Sequence, residues 1–240
     1  MRLTARITSL VLAVGTAALL SACGGGAEVD ISGGGGGGGG GGTPYPQPNP
    51  NPDPPTLSCS QAGLAASAAS KWGTVCMLTS SGEIVVELYD SYAPQTVANF
   101  YNYVAAGFYT NTLIHRVDRD FVVQGGGYTS GMVARAPLYG PIKLESNNGL
   151  SNLRGSVAMA RTGDPNSATS QFFINVVDNL FLDGEPDAPR SGYAVFGQVV
   201  EGMDVVDKIR AAETKPAGMH ENLPVKPIFI TKALVEPVKK

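Results

Sequence analysis

The chain has 240 residues, of which 43% are apolar, and its formal net charge is −3 at pH 7. This length allows one or two domains, and the slight acidic excess argues against nucleic acid as a partner. The two histidines and three cysteines form neither an H-E-x-x-H motif nor a cysteine cluster, so we expect no metal site. The chain also lacks the G-x-S-x-G sequence that is typical of α/β-hydrolases.

The chain begins with the features of a secretory signal. Arg2 and Arg6 precede an apolar run at residues 7–20, which is too short for an ordinary transmembrane helix. The run ends in Leu-Ser-Ala-Cys, which resembles a bacterial lipobox, in which the cysteine carries the lipid; an ordinary signal is the alternative. We therefore predict a lipoprotein signal peptide over residues 1–22 and lipidation of Cys23. Because no aspartate follows this cysteine, we expect the cell envelope as location, on an outer membrane facing the periplasm.

Two segments separate this signal from the folded part. Residues 23–56 are rich in glycine and proline and are predicted to be a disordered tether. Residues 57–73 are rich in alanine and serine and favour a short helix. Cys59 and Cys76 are the cysteines that remain after lipidation, and in an exported protein we predict a disulfide between them. Two buried free thiols are the alternative.

The folded domain is predicted over residues 74–240, and its first part, residues 74–89, is predicted to be a β-hairpin. In the second strand, Glu83, Val85 and Glu87 alternate with apolar residues. The two carboxylates could pass for a catalytic pair. The alternation favours a solvated outer face instead.

Two helices and further strands follow. One helix is predicted to begin at Pro94 and to end near Gly107, and the other to span residues 202–211. The expected core face of the first helix consists of Val97, Phe100, Tyr101 and Val104. The other strands are predicted at residues 113–117, 155–160, 171–176, 193–200 and 227–235, with a loop at residues 128–140. These elements predict one mostly β domain.

The most informative stretch is Leu113–Gly127. Alternation along its first strand predicts that Arg116 shares a face with Ile114, and Phe121 and Gln124 follow after a charged bend. Arginine donates several fixed hydrogen bonds to carbonyl oxygens, an aromatic ring offers flat apolar surface, and glutamine both donates and accepts. Together these groups suit a site that grips an uncharged peptide.

The spacing of these residues resembles the signature of the cyclophilins, the cyclosporin-binding peptidyl-prolyl isomerases. The matching blocks are His115-Arg116-Val117-x-x-x-Phe121-x-x-Gln124-Gly125-Gly126, residues 156–162, residues 170–175, residues 181–184 and residues 193–197. The resemblance covers roughly residues 74–235 and is closest to short bacterial, periplasmic-type members. It implies a mostly β fold, a closed eight-stranded antiparallel β-barrel capped by two α-helices.

The resemblance also implies roles for single residues. Arg116 is predicted to be catalytic, and no cofactor is expected because prolyl isomerisation breaks no covalent bond. The predicted peptide-binding residues are His115, Phe121, Val122, Gln124, Ala160, Arg161, Gln171, Phe173, Phe181, Leu182 and Tyr193. Among these, His115 is expected to be a structural or groove-wall residue rather than a general base, because neighbouring strand residues face opposite sides.

Three positions depart from the family pattern. Many members have asparagine, tryptophan and histidine where this chain has Arg161, Phe181 and Tyr193, so we expect weak sensitivity to cyclosporin. The expected partners are proline-containing peptides and unfolded exported proteins, together with a membrane contacted through the lipid on Cys23. The protein is expected to be a monomer. A non-catalytic module that binds proline peptides, or acts as a chaperone, on the same fold is the alternative function.

Overall fold

The computed structural model describes residues 57–185, 187, 191–218 and 220–236. The predicted signal peptide, the lipidation site Cys23 and the tether lie outside these residues. Within the described ranges, no helix is both long enough and apolar enough to cross a membrane.

The secondary structure of the described residues consists of three α-helices and twelve strands. The helices are α1 (Gln61–Ala69), α2 (Pro94–Ala105) and α3 (Met203–Arg210). The strands are β1 (Gly73–Thr79), β2 (Gly82–Leu88), β3 (Thr112–Val117), β4 (Val122–Gly125), β5 (Tyr128–Thr129), β6 (Val133–Ala134), β7 (Ser156–Met159), β8 (Phe172–Asn175), β9 (Val195–Glu201), β10 (Thr214–Ala217), β11 (His220–Pro224) and β12 (Ile228–Glu236).

Eight of these strands close into an antiparallel barrel in the order β1-β12-β3-β4-β8-β7-β9-β2. Because β1 also pairs with β2, the ring has no unpaired edge strand. The predicted eight-stranded barrel is therefore confirmed. The remaining strands form two separate hairpins, β5 with β6 and β10 with β11. The first lies in the predicted loop at residues 128–140, and the second lies where no strand was predicted.

The barrel interior is packed with aromatic rings. The ring centroid of Phe100 lies 5.6 Å from that of Phe172 and 5.1 Å from that of Phe196. Helices α2 and α3 bury their apolar faces against this cluster, as predicted. The fully buried tyrosine of α2 is Tyr103, whereas the predicted Tyr101 is only partly buried. Both helices thus contribute apolar side chains to the core that fills the barrel.

Helix α1 covers the outer face of β2, which was predicted to be solvated. Val85 is fully buried there beside Cys59 and Cys76. Glu83 accepts hydrogen bonds of 2.7 Å from both the backbone N–H and the hydroxyl of Ser60, directly before α1. The prediction of a solvated face is wrong because alternation along a strand does not reveal whether another element packs on its second side.

The Ala/Ser-rich extension is also tied to the barrel covalently. Cys59 and Cys76 are joined as a disulfide, with their Cα atoms 6.3 Å apart and a sequence separation of 17. The bond connects Cys59, two residues before α1, to Cys76 in the middle of β1. A cross-link of this kind stabilises a fold mainly by restricting the unfolded chain, so it keeps the short helix α1 on the barrel wall.

A β-bulge in β3 decides where the predicted catalytic arginine lies. Ile114 pairs with Gly125 and Arg116 pairs with Gln124, so the register shifts across His115. A bulge sets two residues against one and reverses the faces that follow. Ile114 therefore packs in the barrel interior, whereas Arg116 faces an outer groove. The prediction that these two residues share a face is wrong.

Candidate active site

A groove of ≈ 240 Å³ opens on the outer wall of the barrel, over β4 and β8. An apolar cluster that includes Val122, Phe173 and Leu182 lies beneath it and is separate from the interior core. The groove is lined by Arg116, Phe121, Val122, Gln124, Ala160, Arg161, Phe173, Leu182 and Tyr193. The structure therefore brings together most of the residues that the sequence analysis named as catalytic or peptide-binding.

Arg116 presents a permanent cation at one side of this groove. Its guanidinium carbon lies 5.3 Å from the centre of the Phe121 ring, a distance that permits a cation–π interaction. The ion pairs among the described residues join Asp207 to Arg154 and to Arg210, so neither of them involves Arg116. Its guanidinium is thus available to donate hydrogen bonds to a bound peptide.

Aromatic rings form the apolar part of the groove. Phe173 meets the ring of Tyr193 edge-on, with centroids 5.5 Å apart. Phe121 stacks on Phe181, with centroids 5.7 Å apart and planes inclined by 16°. Phe181 is 75% exposed and does not line the groove itself. It extends the apolar surface outwards as a rim, so its predicted contact with peptide would be made at the edge.

A second cavity of ≈ 260 Å³ adjoins the groove and shares Gln124, Ala160 and Arg161 with it. Gln171 lines this cavity rather than the groove, and its side-chain oxygen accepts a hydrogen bond of 3.0 Å from Gln124. Arg161 donates from Nε to the backbone carbonyl of Gly192 at 3.0 Å. Their polar groups can bind the parts of a peptide that flank the residue held in the groove.

Comparison with known proteins identifies the family. The family model described as cyclophilin type peptidyl-prolyl cis-trans isomerase/CLD matches residues 74–235. The chain belongs to this family. Among similar relatives, peptidyl-prolyl cis-trans isomerase B of Escherichia coli (strain K12) is 51% identical over 158 residues, covering 65% of this chain and 96% of the relative. Peptidyl-prolyl cis-trans isomerase A of Dickeya dadantii (strain 3937) is 52% identical over 162 residues, covering 67% and 83% respectively.

A solved cyclophilin structure has the same fold. It is the crystal structure of a Cryptosporidium parvum cyclophilin type peptidyl-prolyl cis-trans isomerase in the presence of the dipeptide Ala-Pro. The match has a TM-score of 0.58 and 26% sequence identity, and it covers 68% of this chain and 99% of that chain. The part of the sequence that builds the barrel and the groove is therefore the cyclophilin part.

His115 lies behind the cyclophilin groove instead of lining it. It is 2% exposed, and its ring centroid is 4.7 Å from Tyr128 and 5.9 Å from His220. Its Nδ1 atom has no hydrogen-bond partner among the described residues. Burial, reinforced by the nearby charges of His220 and Arg116, lowers the pKa of His115 to about 4. It is therefore a neutral structural residue, and the geometry gives it no direct contact with peptide.

The buried His115 predicts a specific loss of stability in acid. The ordinary histidine pKa is 6.5, so below that pH the unfolded chain takes up a proton that folded His115 does not. Its contribution to the free energy of unfolding is complete above about pH 6.5 and is lost as the pH falls towards 4. The expected loss is about 3 kcal/mol. Urea denaturation at several pH values should show it in the wild type and not in His115→Gln.

The other histidine of the chain offers a matched control. His220 is only partly buried, and burial of His115 is the largest cause of its lowered pKa. A His220→Gln variant should therefore keep most of the acid-dependent loss of stability. The comparison uses differences from the wild type at each pH, which removes the contribution of the carboxylates common to all three proteins. A His115→Gln variant that loses as much stability in acid as the wild type would contradict this role for His115.

A buried asparagine network supports the rim of the groove. The side-chain amide of Asn175 donates to Asn152 at 3.1 Å and to Ser156 at 2.9 Å, and its oxygen accepts from Asn179 at 2.8 Å. Asn179 also donates to the backbone carbonyl of Phe121 at 3.0 Å. The network thus positions a groove residue from behind. The sequence analysis did not predict this network. One sign of it in the sequence is Asn175, an amide that directly follows three apolar residues of β8.

Proposed function

We propose that the protein is a peptidyl-prolyl cis-trans isomerase that accelerates rotation about Xaa-Pro bonds in exported proteins and so assists their folding. The position of Arg116 carries this assignment: its guanidinium lies beside Phe121 at an apolar groove of a cyclophilin barrel. We also propose that the protein acts as a monomer. Catalysed cis-to-trans exchange of a short Xaa-Pro peptide is the direct test.

The chemistry follows from the electronic structure of the peptide bond. Rotation has a barrier of ~18–20 kcal/mol because resonance gives the C–N bond partial double-bond character. In the twisted transition state that resonance is lost and the proline nitrogen regains a lone pair. Arg116 would donate a hydrogen bond to that nitrogen or to the adjoining carbonyl. Its hydrogen bond is strongest in the twisted state, which is the condition for catalysis by differential binding.

The other groove residues would hold the substrate. Phe121, Phe173 and Leu182 would enclose the proline ring, and Gln124 would bind the flanking backbone. These contacts fix the proline side of the bond while the other side rotates. A ~10⁵-fold acceleration requires the barrier to fall by about 7 kcal/mol, which a few preorganised groups can supply. The reaction consumes no cofactor, because no covalent bond is made or broken.

We propose that this isomerase acts at the cell envelope from a lipid anchor on Cys23. Support comes from the basic start, the apolar run and the lipobox-like end of residues 1–22. The glycine- and proline-rich residues 23–56 would hold the catalytic domain away from an outer membrane, facing the periplasm. The disulfide between Cys59 and Cys76 suits an oxidising compartment.

The anchor predicts a definite mature N-terminus. Intact mass spectrometry of the protein from a bacterial membrane fraction should show a chain that starts at Cys23 and carries acyl groups. A Cys23→Ser variant should lack the acyl mass and leave the membrane fraction. A wild-type chain cleaved elsewhere, or unmodified at this cysteine, would refute the lipoprotein assignment and leave the isomerase assignment intact.

One observation favours a second function on the same surface. Leu180 and Phe181 are 58% and 75% exposed beside the groove, and exposed apolar side chains of this size suit contact with unfolded chains. A chaperone-like module would prevent aggregation of a denatured client without turnover. Suppression of aggregation that survives Arg116→Ala while isomerisation disappears would show that the two functions coexist.

A further inference from the structure

A third cavity lies on the far side of Arg116. It has a volume of ≈ 220 Å³ and is lined by Arg116, Asp118, His220, Glu221 and Asn222. We call it the hairpin pocket, because its last three residues belong to β11 of the β10–β11 hairpin. The groove and the hairpin pocket have Arg116 in common, so a peptide held by this arginine can reach both.

The wall of the hairpin pocket is fixed by contacts to the barrel. The side chain of Asn222 donates a hydrogen bond of 3.4 Å to Asp118, at the bend after β3. On the other side, the ring of His220 packs edge-on against Tyr128, with centroids 4.9 Å apart, and faces the buried His115. Two residues of β11 thus attach the hairpin to the barrel side of the pocket.

The charges in the hairpin pocket are predominantly negative. Asp118 and Glu221 contribute two carboxylates, and Arg116 contributes one guanidinium, whose plane is partly occupied by the Phe121 ring. Glu221 is exposed, so its carboxylate can meet a ligand without a large desolvation cost. A pocket of this composition attracts an ammonium or guanidinium group and repels a carboxylate.

The cavities follow one another along the surface. The second cavity shares Gln124, Ala160 and Arg161 with the groove, whereas the hairpin pocket shares only Arg116 with it. A chain whose proline lies in the groove therefore has its two flanks over different cavities. One flank meets the cation Arg161, and the other meets the carboxylates of Asp118 and Glu221.

We propose that the hairpin pocket is a side-chain subsite that selects peptides with a lysine or arginine close to the proline. This inference rests on the proposed isomerase function, because it assumes that the proline occupies the groove. Glu221 is the residue that determines the preference, and Asn222 holds the pocket in shape through Asp118. Exported substrates with a basic residue on that flank would be favoured over acidic ones.

The test is a charge scan with the full chain. Neutral Ala-Pro peptides receive lysine, glutamine or glutamate at the positions on either side of the Xaa-Pro pair, and KM and kcat are measured at about pH 8, where an ordinary histidine is neutral. At one flank we expect KM to be about two- to fivefold lower for lysine than for glutamate, the range of a partly exposed ion pair. The preference should shrink in concentrated salt, because exposed charges are screened.

The variant that isolates the cause is Glu221→Gln, in which the lysine preference at that flank should disappear. Glu201→Gln is the matched control: Glu201 is exposed and lies on β9, four strands from β3 in the ring of eight. It removes the same charge and should leave the preference unchanged. A preference that is absent from both flanks, or that persists in Glu221→Gln, overturns the inference.

The same peptides also separate this inference from the proposed function. Turnover of the neutral peptide without any charge preference would refute the subsite and leave the isomerase standing. No turnover of any peptide would refute the isomerase. Equilibrium binding of the lysine and glutamate peptides, each carrying a fluorescent label, would then test the subsite alone. Equal dissociation constants for these two peptides would contradict it there as well.

Discussion

Replacement of Arg116 by alanine is expected to lower kcat/KM for Xaa-Pro isomerisation by about 10²–10³-fold, the usual cost of removing one transition-state donor. The effect should fall mainly on kcat, because the hydrogen bond is strongest when the peptide bond is twisted. The apolar lining of the groove remains in this variant, so binding of the ground-state peptide should change little. NMR-detected cis–trans exchange at several peptide concentrations measures both kcat and KM.

Two further variants make the Arg116 result specific. Arg116→Lys keeps the charge and loses the planar fork and its stacking on Phe121, so we expect only partial activity. Arg119→Ala removes an exposed arginine three residues away that does not line the groove and should retain full activity. If Arg116→Ala is folded and keeps activity within about threefold of the wild type, Arg116 does not supply the transition-state donor described here.

The second large effect is expected at Asn175, in the network behind the groove. Asn175→Ala removes three buried hydrogen bonds, to Asn152, Ser156 and Asn179. Ser156 and Asn179 each keep one bond, to a backbone carbonyl. A buried polar group that loses its hydrogen bond costs about 1–3 kcal/mol. We therefore expect the free energy of unfolding to fall by about 3–5 kcal/mol in total. Urea denaturation should show a lower midpoint with an unchanged slope.

The matched control for this network is Asn147→Ala. Asn147 is exposed and donates only a 3.4 Å hydrogen bond to the backbone of Glu185, so its loss should change stability by less than about 0.5 kcal/mol. Because Asn179 also holds the carbonyl of Phe121, Asn175→Ala should reduce activity even at low temperature, where it remains folded. An Asn175→Ala protein as stable as the control would show that the network is not a structural support.

The barrel and the groove could be predicted to different degrees. Alternation in β8 separates Phe172, which packs in the interior, from Phe173, which faces the groove. The same rule failed at Ile114 and Arg116, because a bulge inserts one residue and reverses the faces. The resemblance still named Arg116 as a groove residue, since motif spacing does not depend on the backbone path between the residues.

Other features depend on contacts between distant segments. Helix α1 covers Val85, and Glu83 binds Ser60, the residue that caps this helix. These contacts join residues from separate elements, so no local pattern reveals them. The β10–β11 hairpin contains two prolines, Pro216 and Pro224. Proline disfavours strands, so the sequence alone does not predict this hairpin. It forms a separate two-stranded sheet outside the barrel, where proline is tolerated.

Exchange NMR on a neutral Ala-Pro peptide tests the central claim most directly. Without an enzyme, cis and trans forms interconvert in tens to hundreds of seconds, so the two sets of resonances show no exchange on a sub-second timescale. The account predicts that catalytic amounts of the folded wild-type protein produce exchange cross-peaks within about one second, and that Arg116→Ala largely removes them. A well-folded wild type that binds the peptide and leaves the exchange rate at its uncatalysed value would contradict the account.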